Sequence, residues 1–287
     1  MPTQPYRDLT AEEISDFHRY GVACLRNVID PGWLPRIIQA ADDNLANPGR
    51  WALDLTRTEN KGRFYNDRML YRSLPFFRDY VFESGMAALA GQAMGASEIR
   101  IFFDHLFVKE PETAEVFFWH QDLPYWPFKS GKVCSIWLAV TDCSRETSGL
   151  EFVRGSHRWA KWYKPVYAKD VAGADWVKDG SGEECPDFSA TPERYDIVSW
   201  DMKAGDAFIF DALTCHASGG NRSKTQRRIA LSTRWLGEDA IWDPRKGTDD
   251  AIQKVCDVSR LTAGGPARDD EVFPVVWRQD ESRHAAL

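Results

Sequence analysis

The apolar positions of the first third of the chain recur at helical spacing. Thr10 followed by Glu13 is a capping-box pattern, and Ile14, Phe17 and His18 line up behind it on one face. Gly21 ends this helix, and Val22-Ala23-Cys24-Leu25 reads as a short strand. Asp30-Pro31 predicts a second helix, with Asp30 as N-cap and Pro31 in the first turn. Leu34, Ile37, Ile38, Ala41 and Leu45 form its apolar stripe. A third helical region is expected over 75–94, running into the small residues Gly91, Ala93 and Gly95.

The pattern changes near residue 98. Short β-type runs follow one another: Arg100–Phe103, His105–Val108, Val116–Trp119, Val133–Val140 and Leu150–Val153, each bounded by Pro, Gly, Ser or Asp. Beyond a long polar stretch, Ala207–Phe210 and Arg228–Trp235 resume it. Many short strands without interleaved helices predict an antiparallel barrel or jelly roll. The expected organisation is one domain over 1–287. A mainly helical flank (1–95) precedes the β core (96–240), and a segment (241–287) packs back on that core. The polar stretch 168–196 reads as a surface insertion or lid, a length of loop that is uncommon without a function.

Composition narrows the function. The chain has 287 residues and a formal charge of −7. With a pI near 5.5, it lacks the basic balance that nucleic acid or an anionic membrane favours. The mean hydropathy of −0.46 goes with the lack of any run long enough to span a bilayer, and the acid-bearing N-terminus does not read as a signal peptide. Six cysteines are scattered without CxxC. They point to a reduced, cytoplasmic protein rather than a disulfide framework or thiolate zinc site. Six histidines stand against twelve tryptophans, so few residues are available to build an imidazole site.

Trp119-His120-Gln121-Asp122 is the sharpest local signal. In a strand, His120 and Asp122 point to the same face, where imidazole and carboxylate can grip one cation. His216, at the end of the strand-like run 207–210, supplies a second imidazole. Two histidines and a carboxylate make the facial triad that suits non-haem Fe(II), with open positions for co-substrate and oxygen. An arginine pair, Arg227-Arg228, opens the next strand, and one guanidinium pointing inward offers a fork for a carboxylate. Arg227 is the expected inward member, with Ser218 as a hydroxyl donor to the same carboxylate.

At this point the sequence resembles the phytanoyl-CoA dioxygenase-like family of Fe(II)/2-oxoglutarate oxygenases. The resemblance rests on WHQDLPYWPF (119–128), SIWLAVTD (135–142), SGLEFVRGSHRW (148–159), AGDAFIFDALTCHASGGN (204–221) and RRIALSTRW (227–235). It implies a mainly β fold, a double-stranded β-helix (jelly roll, cupin-like) with flanking N-terminal helices. It also implies iron on His120, Asp122 and His216, and a 2-oxoglutarate carboxylate on Arg227 and Ser218 with Trp137 alongside. Relatives that transfer halide replace the carboxylate ligand with a small residue. Asp122 is retained, so hydroxylation or a related oxidation is the implied outcome. Oxygen and 2-oxoglutarate would be consumed, with succinate and carbon dioxide released.

Trp126 lies on the loop leaving the metal-binding segment, and such loops carry function. Tyr125 and Trp126, with Phe128, are therefore expected in the wall of a small-molecule substrate pocket. Trp119 and Trp159 are expected in packing, and His157 in a structural turn. The segment 60–75 and the insertion are the expected carriers of specificity. Two other readings fit the same barrel: a metal-dependent hydrolase whose triad holds zinc, and a catalytically silent binding protein. The buried guanidinium with Ser218 is what hydrolysis would not need.

Overall fold

A computed structural model describes residues 4–56, 62–129, 131–165 and 182–279. In chain order the elements are α1 (Ala11–Tyr20), β1 (Val22–Leu25), α2 (Trp33–Ala46), β2 (Leu53–Asp54), β3 (Phe64–Arg68), α3 (Pro75–Glu83), α4 (Met86–Met94) and β4 (Glu98–Lys109). Then come β5 (Phe117–His120), β6 (Val133–Ala139), β7 (Leu150–Val153), β8 (Tyr163–Lys164), β9 (Glu183–Glu184) and β10 (Ile197–Ser199). The last are β11 (Ala207–Asp211), β12 (His216–Ser218), β13 (Arg228–Gly237), α5 (Ala251–Val255) and β14 (Val275–Arg278).

Two antiparallel sheets face each other. The larger runs β1-β11-β6-β13-β4-β3-β2, with β14 added along β4, and the smaller runs β10-β7-β12-β5. This is the expected mainly β jelly-roll core with helical flanks. Alternation decides the layers. In β6, Ile136 and Leu138 join the core shared with the helices, while Ser135, Trp137 and Ala139 look into the space between the sheets. In β13, Ile229, Leu231 and Trp235 face the helices, and the even-numbered residues Arg228, Ala230 and Arg234 face the lumen.

Several local expectations are corrected. The helical region 75–94 is two helices, because Gly85 takes a φ of 81° between α3 and α4. Its αL backbone suits glycine and ends the run. Asp30 does not cap α2. Its Oδ1 accepts from the Gly32 N–H in a turn, and the helix begins at Trp33. The runs Arg100–Phe103 and His105–Val108 are one strand, β4, with a register shift where Arg234 pairs with Phe103 and Trp235 with Ile101. That irregularity reverses which parity faces the helices, so Ile101 packs under them while Phe103, His105 and Phe107 line the lumen. Part of the stretch 168–196 lies outside the described residues. Its remainder holds β9 and short 3-10 turns, with Phe188 buried against Trp119 and Trp159. The C-terminal segment returns to the core, with Val272 and Phe273 buried and Trp277 packed over Gly91.

Candidate active site

The site is built at the seam of the smaller sheet. β12 pairs with β5 so that His216 stands directly opposite His120, and the two rings sit 4.2 Å apart between centroids. Asp122 arrives differently from expectation. The strand stops at His120, and Asp122 takes αR geometry (φ −73°, ψ −44°) at the start of a 3-10 turn. The turn, not strand alternation, swings the carboxylate between the imidazoles. Asp122 Oδ1 lies 3.7 Å from His120 Nε2 and 3.8 Å from His216 Nε2. One atom from each residue falls within 4.8 Å of the others, a group able to hold a cation.

The remaining polar atoms of the triad are already engaged. His120 Nδ1 lies 2.7 Å from the Phe118 carbonyl and His216 Nδ1 3.0 Å from that of Thr214. A carbonyl only accepts, so each Nδ1 carries the proton and each Nε2 presents a lone pair to the centre. Asp122 Oδ2 accepts from Ser135 Oγ at 2.9 Å, leaving Oδ1 for a metal. Burial pushes His216 down to about 4, helped by the neighbouring His120. The Asp122 carboxyl would be raised by burial, but His216, His120 and Arg234 outweigh that and hold it well below the usual range. Two neutral imidazoles and a carboxylate on one face are the donors a divalent iron accepts. Residues and group fit.

A cavity of about 710 Å³ opens beside the triad, lined by all three of its residues. Arg227 does not enter it. Its Nη1 pairs with Asp42 at 2.5 Å and its Nε lies 2.9 Å from Glu110 Oε1, on the outside of the sheet. The inward guanidinium is Arg228, 2 % exposed, with Nη2 donating to Ser148 Oγ at 3.1 Å. Its carbon sits 5.8 Å from the Trp137 ring. The expectation for Arg227 is thus displaced by one residue, and the signal was present. The large apolar residues Ile229, Leu231 and Trp235 alternate on the helix-facing side, which turns Arg228 inward. Ser218 and Trp137 line the cavity, and Ser218 Oγ also accepts from the buried Lys109 Nζ at 3.4 Å.

Tyr125 and Trp126 line the cavity as well. Phe128 does not. It is fully buried behind Phe103 and Trp126 in the same apolar cluster, its ring 4.8 Å from Phe102 and 5.5 Å from Phe273, and it bridges to Trp242. The turn at Trp126 and Pro127 leads Phe128 into this bridge, behind the wall. His157 stays outside, with Nε2 3.2 Å from the His18 carbonyl. The sequence reading missed Ser135, whose shared face with Trp137 could have pointed to it. His105, open from the sequence as a pocket residue but not assigned to the site, is half-buried in the wall with Nε2 2.9 Å from Asn66 Oδ1. From the 60–75 segment, Phe64, Asn66 and Arg68 line the cavity.

The family model of phytanoyl-CoA dioxygenase (PhyH) matches residues 17–229, most of the chain and every residue of the triad. The chain belongs to the phytanoyl-CoA dioxygenase family. As a member it is a non-haem iron dioxygenase that uses 2-oxoglutarate and oxygen and acts on a small molecule. The ectoine dioxygenase of Nocardia farcinica is 23 % identical over 229 residues, 75 % of this chain and 74 % of that protein. Two solved structures share the fold. The 2-oxoglutarate-dependent carbocyclase SnoK of nogalamycin biosynthesis has a TM-score of 0.71 at 21 % identity, covering 94 % of this chain and 97 % of that one. The epimerase SnoN, in complex with Fe3+, α-ketoglutarate and nogalamycin RO, has a TM-score of 0.66 at 21 % identity, covering 93 % and 98 %. No helix among the described residues is long and apolar enough to cross a membrane.

Proposed function

We propose that this family member oxidises an unactivated C–H bond of a small organic molecule, with hydroxylation as the outcome, and that Arg228 rather than Arg227 anchors its 2-oxoglutarate. In this reading His120, Asp122 and His216 would hold the iron, and Arg228, with Trp137 beside it, would hold the 2-oxoglutarate. When bound, iron and 2-oxoglutarate supply the oxidising power for C–H cleavage and leave succinate and carbon dioxide. The chain's own contribution is placement. Ser135 fixes the Asp122 carboxylate through Oδ2. The two carbonyls of Phe118 and Thr214 fix the imidazole tautomers. Arg228 and Ser218 bind the far carboxylate, and Tyr125 and Trp126 hold the substrate and exclude water.

The observation that carries this is the convergence in one cavity of three free donor atoms and a buried guanidinium. A hydrolytic zinc site would have no use for that guanidinium. Anaerobic addition of Fe(II) and 2-oxoglutarate should produce the weak visible charge-transfer band of the chelate, abolished by His120→Ala or Asp122→Ala. Its absence in the wild type would refute the assignment. Succinate release on admitting oxygen would exclude a silent binding protein. Cytoplasmic residence is part of the same reading, supported by six cysteines that are all free thiols.

A further inference from the structure

Among the described residues, Arg234 is a buried cation that the chemistry above leaves unused. Arg234 lies in the cavity wall, 6 % exposed, and its Nε and Nη1 meet no hydrogen-bond partner. Its contacts are aromatic: the guanidinium carbon is 4.9 Å from the Phe103 centroid and 5.8 Å from that of Phe107. Burial lowers its pKa to about 10, so it remains charged at neutral pH. The carboxylates near enough to act on it are Asp122 and Asp104. Asp122 is committed to the cation site and to Ser135. Asp104 pairs with Thr233, on the face of the sheet opposite the lumen, where its Oδ1 accepts from the Tyr71 N–H. Arg68, the other cation in range, is ion-paired with Asp249. A guanidinium held without a partner in a cavity wall is strongly unfavourable unless a counter-charge arrives from outside.

Register says where that counter-charge would sit. Arg234 pairs with Ser135, the residue that holds Asp122, and Ser232 pairs with Trp137. Arg228 is further along the same face, about 20 Å from Arg234 in an extended strand. A co-substrate lying between Arg228 and the triad fills the Trp137 level. Arg234 then faces the rest of the cavity, where Trp51, Phe103 and Trp126 form the walls. Leu53, Val116 and Phe118 line that cavity too and are exposed.

We infer that Arg234 binds an oxyanion carried by the substrate, a carboxylate or a phosphate-type group, on a molecule whose apolar body fills the aromatic cavity. This rests on the site assignment above. The substrate is then amphiphilic, with its acid end buried beside the triad and its apolar end toward the rim. Arg234 would fix which C–H bond faces the metal, because a charge-assisted contact orients one end of the molecule.

Calorimetry with matched fragments tests this without turnover. The probes are 3-phenylpropanoate and indole-3-acetate, their primary amides, and 2-phenylethylphosphonate. Each is titrated into the metal-free protein and into protein loaded with Mn(II) and 2-oxoglutarate. Acids should bind more tightly than their amides by roughly 10- to 100-fold. Arg234→Met should erase that preference while leaving 2-oxoglutarate affinity unchanged, with Arg234→Gln as the second variant if the first does not fold. A tighter phosphonate identifies the phosphate-type group, and a tighter acid the carboxylate. Equal binding of acid and amide, or no acid-selective binding by any probe, overturns the inference. So does loss of 2-oxoglutarate affinity in Arg234→Met, which would move Arg234 to the co-substrate. If wild-type protein fails to bind 2-oxoglutarate yet keeps the acid preference, the dioxygenase assignment of the site falls and the anion site stands.

Discussion

Replacing Arg228 by Met tests the co-substrate site most directly. The guanidinium is 2 % exposed, donates to Ser148 Oγ at 3.1 Å, reaches the Phe107 carbonyl at 3.5 Å, and has an Nε without a partner. A carboxylate docked there gains charge-assisted hydrogen bonds of about 1.5–3 kcal/mol each. Removing one side of such a buried pair costs about 2–5 kcal/mol. At about 3 kcal/mol, the Kd for 2-oxoglutarate rises on the order of 100-fold. Stability should move much less. Met fills similar space and removes an incompletely bonded charge, a change worth within roughly 1–2 kcal/mol of zero. Arg227→Gln is the control. It removes partly exposed ion pairs with Asp42 and Glu110, a loss of about 0–1 kcal/mol in stability, and should leave 2-oxoglutarate binding unchanged. Anaerobic titration of the Fe(II) charge-transfer band gives the affinities, and thermal melts give the stabilities. The reasoning is refuted if Arg227→Gln weakens 2-oxoglutarate as Arg228→Met was expected to, or if Arg228→Met binds within roughly threefold of the wild type, well short of the loss a charge-assisted contact implies.

Ser135→Ala deletes the hydrogen bond to Asp122 Oδ2 and should weaken metal binding by roughly 10- to 100-fold, read by Mn(II) titration against an unchanged melting curve. Gly21→Ala should destabilise the fold by about 1–3 kcal/mol, since Gly21 has a φ of 77° and a methyl group there would strike His157 and Thr214. Because Thr214 also holds the His216 tautomer through its carbonyl, metal affinity should fall with it; urea denaturation and metal titration read the two effects. Asp104 gives a pH signature, because burial raises its carboxyl to about 7. The folded state then binds a proton that the unfolded chain has lost. The stabilisation is complete below about pH 4 and disappears as the pH rises through 7, a change on the order of 2–4 kcal/mol. Asp104→Asn, which keeps an acceptor for the Tyr71 N–H, should flatten that decline in urea melts between pH 4 and 8. An unchanged slope would mean that Asp104 is ionised at neutral pH.

The chemistry was legible in the sequence because it resides in residue types. Few histidines, one H-x-D triplet and a second histidine after a β run leave little choice of ligands, and many short β-type runs without interleaved helices announce an antiparallel barrel or jelly roll. What the sequence does not carry is direction at the ends and faults of strands. Asp122 reaches the imidazoles through a 3-10 turn rather than by alternation. The irregularity in β4 at Phe103 reverses the parity of the strand and turns Phe103, His105 and Phe107 into the cavity. A one-residue difference in where β13 begins separates Arg228 in the lumen from Arg227 on the outside, and a side-chain period of two makes such a slip decisive. Phe128, reasonable as a wall residue by position, is drawn behind the wall by Trp242 and Phe273 from the far end of the chain. The sequence by itself determined the donor atoms and the kind of fold. The tertiary structure decided which arginine of the pair enters the cavity, and placed Arg234 in its wall with Nε and Nη1 unbonded, because both depend on packing between segments distant in the chain.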